Sequence, residues 1–192
     1  VKGPTVPERL RLAFEELGPS FIKFGQLLSS RPDLITEEFA EEFRKLLDEV
    51  PPFRAGEARE IIAGELKEPL DSVFMEFDER PVAAASIAQV HNAVLTDGTS
   101  VIVKVQRPGI KEQILNDIEI ISVVARLMDR YFPESRMFNP VGIVQEFSRT
   151  IRKELDFTQE ARNCSLFARN FEGVESVCIP KVYTSTSLRG YL

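Results

Sequence analysis

The sequence predicts an α+β chain, with residues 1–73 helical and residues 74–192 built from a small antiparallel sheet and further helices. Apolar residues recur every three or four positions through residues 1–73, then alternate from Val73 to Val82, so the period falls from that of a helix to that of a strand. Asp97-Gly98 separates two alternating runs, the pattern of a hairpin. Beyond it, Ile114, Ile118, Ile121 and Ala125 restore a helical stripe.

Taken in order, Arg9 to Glu16 reads as a short amphipathic helix, and Gly18-Pro19 punctuates it before a second one. Phe21, Phe24 and Leu28 of that second helix share a face that should meet a core. Lys23, Gln26 and Ser30 share another, which periodicity alone assigns to solvent. Gly25 between them lowers helix stability and suits close approach of another group. Arg31-Pro32-Asp33 closes the helix, and Thr36 with Glu37 and Glu38 opens the next. Phe39, Phe43, Leu46, Leu47 and Val50 form its expected buried stripe, stopped by Pro51-Pro52. A further helix over 56–66 should bury Ala58, Ile61, Ile62 and Leu66 before Pro69.

Strands are expected at 74–80, 87–95 and 100–105. On the last, Val101, Val103 and Val105 alternate with Ile102 and Lys104, which places the lysine on the face opposite the valines. Ala83, Ala84, Ala85 and Ser86 keep side chains short where backbone N–H groups would approach a phosphate. A strand, a small-residue loop, a hairpin and a lysine together fit a nucleotide-phosphate site, and the same pattern fits an ordinary hairpin. After Arg107-Pro108-Gly109 a long helix runs to Tyr131, with Met128 and Tyr131 as packing residues. Asn139-Pro140 caps a helix that turns Val144, Phe147 and Ile151 inward; another follows at 158–170, then a strand at 177–183.

The chain has 192 residues, 43% hydrophobic and 28% charged, which is ordinary globular composition. A net charge of −6 argues against a nucleic-acid partner. Cys164, Cys178 and the single His91 do not build a zinc site, and the cysteines are expected as buried, reduced thiols of an intracellular protein. His91, alone in a strand, is expected to be packed or hydrogen-bonded. No signal peptide or transmembrane run is found, so the expected location is cytoplasmic or peripheral at a membrane. A start on Val1 and an end on Leu192 suggest a piece cut from a longer protein.

Several separated motifs coincide with one family. Lys23-Phe24-Gly25-Gln26 reads K-x-G-Q, Pro81 to His91 (PVAAASIAQVH) reads as an alanine-rich loop, Lys104 as a strand lysine, Glu154-Leu155-Asp156 as E-x-D, and Glu160 as a helix glutamate. Together they resemble the UbiB family of atypical protein-kinase-like proteins, the group associated with ubiquinone biosynthesis, and the resemblance covers nearly the whole chain. It implies a protein-kinase-like N-terminal lobe preceded by a helical extension. Lys104 and Glu160 would then be the catalytic ion pair, and Ala83, Ala84, Ala85, Ser86, Lys23 and Gln26 would line an ATP or ADP site with Mg2+. The resemblance further implies a regulatory role for Lys23 and Gln26 facing Glu154 and Asp156.

In this family the metal-binding and catalytic-loop residues belong to a C-terminal lobe, so no metal ligand is expected within this chain and its turnover alone is expected to be negligible. Asp156-Phe157-Thr158 is not a D-F-G motif, because it lacks the glycine and precedes the helix glutamate. Neither is His91-Asn92 a catalytic loop. The tail Thr184 to Leu192 does not resemble the expected strand and hinge. The implied activity is ATP hydrolysis or atypical phosphoryl transfer, with quinone-biosynthesis enzymes, a membrane surface or an isoprenoid lipid as partners. A non-catalytic interaction or lipid-handling module is the alternative, and an ordinary protein-kinase lobe is disfavoured by the alanines where glycines belong.

Overall fold

Thr5 opens the first helix with a reciprocal cap: its hydroxyl accepts from the Glu8 N–H while Glu8 accepts from the Thr5 N–H. That cap starts α1 (Val6–Leu17) earlier than the apolar pattern alone suggests. The computed structural model describes residues 3–47 and 50–183. After α1 come α2 (Pro19–Ser29), α3 (Glu37–Phe43), α4 (Ala55–Leu66) and the short α5 (Leu70–Val73). Strands β1 (Phe74–Phe77), β2 (Ala83–Ala84), β3 (Ala88–Leu95) and β4 (Ser100–Gln106) follow, then α6 (Ile110–Tyr131), α7 (Pro140–Glu154) and α8 (Phe157–Asn170). The fold class is therefore the expected α+β, with a small antiparallel sheet and helices.

Two compact units divide the chain, Val1–Val50 with Gly109–Ile151, and Pro51–Pro108 with Arg152–Leu192. The boundary expected at 73/74 falls inside the second unit. A change of hydrophobic period marks a change of secondary structure, whereas the seams follow which side chains share a core.

In the first unit Phe14, Ile22, Leu28, Phe43 and Leu46 are buried together. Phe14 stacks on Phe43 at 5.2 Å between ring centroids, and Phe24 meets Phe147 edge-on at 5.1 Å. Ile114, Ile118, Ile121 and Ala125 of α6, and Val144, Phe147 and Ile151 of α7, are buried as their spacing predicts. The fully buried Ser20 hydroxyl donates to Asp117, tying the start of α2 to α6. Arg31 grips Glu146 through a single nitrogen, Nη1, at 2.9 and 2.8 Å, and also Asp33. Asn139 caps α7, its side-chain oxygen accepting from the Gly142 N–H at 3.1 Å.

Some expected packing differs. α3 ends at Phe43, and a turn carries Leu46 into the core while Leu47 stays 66% exposed, so the stripe does not continue as one helix. Met128 and Tyr131 lie at 41% and 63% exposure, because the inward face of α6 is already defined by the buried isoleucines. Cys164 is only half-buried, its thiol on the Pro180 carbonyl at 3.3 Å, and Cys178 is exposed; neither is the buried thiol expected, although both are unbridged. Residues 177–183 pair with no strand among the described residues, and Pro180 brings no N–H to such a ladder. The tail Thr184 to Leu192 lies outside the described residues.

In the second unit β3 is central. β1 and β2 pair with one of its edges and β4 with the other, all antiparallel. Asp97 and Gly98 make the β3–β4 turn, with Gly98 at φ 85° and Asp97 accepting from the Thr99 N–H at 2.9 Å. Ala58, Ile62 and Leu66 of α4 are buried with Phe74, Leu95, Val103 and Val105, so α4 covers the valine face of the sheet. Ile61 is only half-buried.

Candidate functional site

With Val103 and Val105 each only 3% exposed against α4, the period of two turns Lys104 to the opposite face. There its Nζ lies 2.7 Å from Glu160 Oε2 on α8 and 4.6 Å from the centroid of the Phe157 ring. Fifty-six residues of chain separate Lys104 from Glu160, and the fold brings them together. Their side chains are 38% and 60% exposed, so the pair adds about 1 kcal/mol or less to stability. What it does is hold a positive charge at a fixed place on an open face.

The elements that carry the pair are themselves tied. Gln106 Nε2, two residues beyond the lysine, donates to the Leu155 carbonyl at 3.1 Å, joining β4 to the turn before α8. Asp156 caps α8, accepting from the Gln159 N–H at 3.2 Å and from the Thr158 hydroxyl. The Thr158 hydroxyl first, and then the Gln159 N–H, hold the Asp156 carboxyl below the usual aspartate range. Asp156 thus has a local structural task. Glu154 is the exposed last residue of α7.

The alanine-rich stretch is not a loop throughout. Ala83 and Ala84 form β2 opposite Val90 and Gln89. The Val82 N–H donates to the Val90 carbonyl and the Ala85 N–H to the Ala88 carbonyl, both at 2.8 Å, so these donors are already engaged. The turn proper is 85–87. Ser86 is fully buried and Ile87 nearly so, backbone included, so within 83–87 Ala83, Ala84 and Ala85 are the residues that reach the surface.

Behind this stretch runs a buried polar chain that periodicity did not reveal. Gln89 and His91 are both fully buried. The His91 Nδ1 lies 2.8 Å from the Asp78 carbonyl, which can only accept, so Nδ1 carries the proton and Nε2 accepts from Gln89 Nε2 at 2.9 Å. Gln89 Oε1 then accepts from the Phe53 N–H at 3.1 Å. His91 also stacks on Phe77 at 5.0 Å, the packed histidine the sequence suggested. The one available signal was the pairing of Gln89 and His91 two apart on a strand, hence on one face.

Lys23 and Gln26 lie half-buried on α2 of the first unit. Gln26 Nε2 donates to the Leu46 carbonyl at 3.1 Å. Gly25 is buried, and a Cβ there would collide with Leu46 Cδ1 and sit 2.9 Å from Phe14 Cδ2. The close approach that requires glycine is thus made by two core side chains of the same unit. Among the described residues no three His, Cys, Asp or Glu side chains gather as a metal-ligand set. No helix among them is long and apolar enough to cross a membrane.

Residues 45–192 match the family described as the ABC1 atypical kinase-like domain. A Marinobacter nauticus protein named probable protein kinase UbiB is 45% identical over 184 residues, covering 94% of this chain and 34% of its own length. Proteins of the same name from Pseudomonas fluorescens SBW25 and Aliivibrio fischeri ES114 are 45% and 44% identical, over 91% and 95% of this chain and 33% and 34% of theirs. The chain spans about a third of the length of the curated relatives it matches. Among solved structures, the Mycobacterium tuberculosis protein Rv3197 in complex with erythromycin aligns with a TM-score of 0.59 and 31% identity, over 83% of this chain and 40% of that one.

Proposed function

Because this chain belongs to the UbiB family and carries its ABC1 atypical kinase-like domain, we propose that it forms the phosphate-gripping part of an adenine-nucleotide site. The Lys104–Glu160 pair carries this reading. A lysine on a strand, oriented by a helix carboxylate and further fixed by an aromatic ring, presents its charge to the α and β phosphates of ATP or ADP. It positions the nucleotide and makes no bond. The 85–87 turn sits on the same strand system, and Ala83, Ala84 and Ala85 keep the approach to it free of bulk. Magnesium would come with the nucleotide and take its protein ligands from elsewhere in the longer protein.

The longer protein is proposed to act as an ATPase or atypical kinase that supports synthesis of ubiquinone or a related isoprenoid quinone. Lys23 and Gln26 are proposed as regulatory residues on the strength of their K-x-G-Q match. Titration of the full-length protein with ATP tests the nucleotide reading. Lys104→Met and Glu160→Gln should each weaken binding roughly ten-fold or more, the loss of a charge-assisted contact. Wild-type protein that binds no ATP, or variants that bind it equally well, would overturn the reading.

A second reading, lipid handling, draws on α6. Its outward face exposes Ile120, Leu127 and Tyr131, and Phe132 and Met137 continue the apolar surface beyond it. Flotation of the full-length protein with liposomes, with and without ATP, tests it. Protein that remains in the dense fraction under both conditions would exclude lipid handling.

A further inference from the structure

Arg107 follows β4 directly, three residues after Lys104, and touches the turn of the alanine-rich stretch from behind. Its backbone N–H donates to the Ile87 carbonyl at 2.9 Å. Its guanidinium Nη2 donates to the Ala85 carbonyl at 3.2 Å and to the Pro51 carbonyl at 3.1 Å, while its Cζ sits 5.6 Å from the centroid of the Phe53 ring. Among the described residues no carboxylate is within ion-pair distance, and its buried Nε has no hydrogen-bond partner. The guanidinium thus donates to carbonyl oxygens of two separate segments.

A trans peptide points its C=O and N–H in opposite directions. An arginine that holds the Ala85 carbonyl therefore fixes the plane of the whole 85–86 peptide, whose N–H belongs to the buried Ser86. Holding Ile87 from the same residue leaves the turn little freedom to rotate. Because Arg107 and Lys104 share one strand end, turn and lysine move as one body. Burial also pushes the Arg107 pKa down from its ordinary value.

We propose that Arg107 is a positioning residue of the nucleotide site, locking the alanine-rich stretch at Ala85 to the lysine strand so that Ala83, Ala84 and Ala85 meet the phosphates in a fixed relation to Lys104. The inference rests on the nucleotide reading above. A lysine cannot reproduce the arrangement, since it lacks the planar guanidinium that lies over Phe53 while donating to two carbonyls.

Binding of ATP, ADP and adenosine to the full-length protein separates this role from a merely structural one. Arg107→Met should weaken ATP and ADP roughly ten-fold while adenosine binding stays unchanged, because only phosphates meet the alanine-rich stretch. Arg107→Lys, which keeps the charge, should recover only part of the loss. Ile62→Val, which trims the α4 contact with the sheet, is the control for lowered stability and should leave the ATP to adenosine ratio intact. Equal losses for ATP and adenosine, or full recovery with lysine, would overturn the proposal. Should Arg107→Met not fold, the lysine variant alone decides by the same ratio. Wild-type protein that binds none of the three ligands defeats the nucleotide reading and this proposal with it; wild-type binding with an unchanged Arg107→Met defeats only the proposal.

Discussion

Lys104 illustrates how little of a site's worth is stability. Its ion pair with Glu160 is open to water on both sides, so Lys104→Met should shift the thermal midpoint by an amount equivalent to about 1 kcal/mol or less. The same substitution should remove most of the ATP affinity of the full-length protein. His91 is the opposite case. His91→Leu keeps bulk beside Phe77 but leaves the Asp78 carbonyl and the Gln89 amide without their partner, a cost of about 1–3 kcal/mol that a denaturant titration would read. A variant as stable as wild type would show that the buried chain contributes nothing.

At the scale of elements, glycine and capping residues set the helices. Gly25→Ala puts a methyl group into Leu46 and Phe14 and should destabilise the fold by about 1–3 kcal/mol, the usual cost of overpacking. Calorimetry that found the variant equally stable would mean that the two side chains can withdraw. α4 was read as part of a helical extension, yet it buries Ala58, Ile62 and Leu66 on the sheet. Ile62→Ala should accordingly cost about 2–5 kcal/mol and unfold the β-sheet with α4 rather than α1 to α3, which hydrogen exchange would resolve.

Over the whole molecule, several carboxylates are held below their ordinary range by hydrogen bonds. Asp33 is lowered mainly by Arg31, Glu42 mainly by Lys45, Asp97 by Thr99 and Asp156 by Thr158. A carboxylate with a depressed folded pKa contributes fully above its unfolded value and loses that contribution as pH falls through the folded one. Stability should therefore be flat above the ordinary values of 3.8 and 4.5 and decline below them, in equilibrium unfolding measured across acidic pH. A maximum at lower pH would contradict this. Turnover is also a property of the whole. Purified residues 1–192 should hydrolyse ATP negligibly, and robust magnesium-dependent hydrolysis abolished by Lys104→Ala would show otherwise.

Much of this was legible in the chain itself. The stripes of α6 and α7, the Asp97-Gly98 hairpin and the facing of Lys104 follow from periodicity and turn chemistry, which are local. The motif order likewise marked the family and the Lys104–Glu160 partnership. Local pattern is silent on which surfaces share a core, and so the placement of α4 on the sheet and the packing of α6 with α2 came only with tertiary structure. The same holds for the commitment of Ala83 and Ala84 to a strand, for Gly25 making room for Phe14 and Leu46, and for Arg107 reaching Ala85 and Pro51. Each depends on segments far apart in the chain, whose meeting is fixed by burial and by hydrogen bonds that no short window of sequence contains.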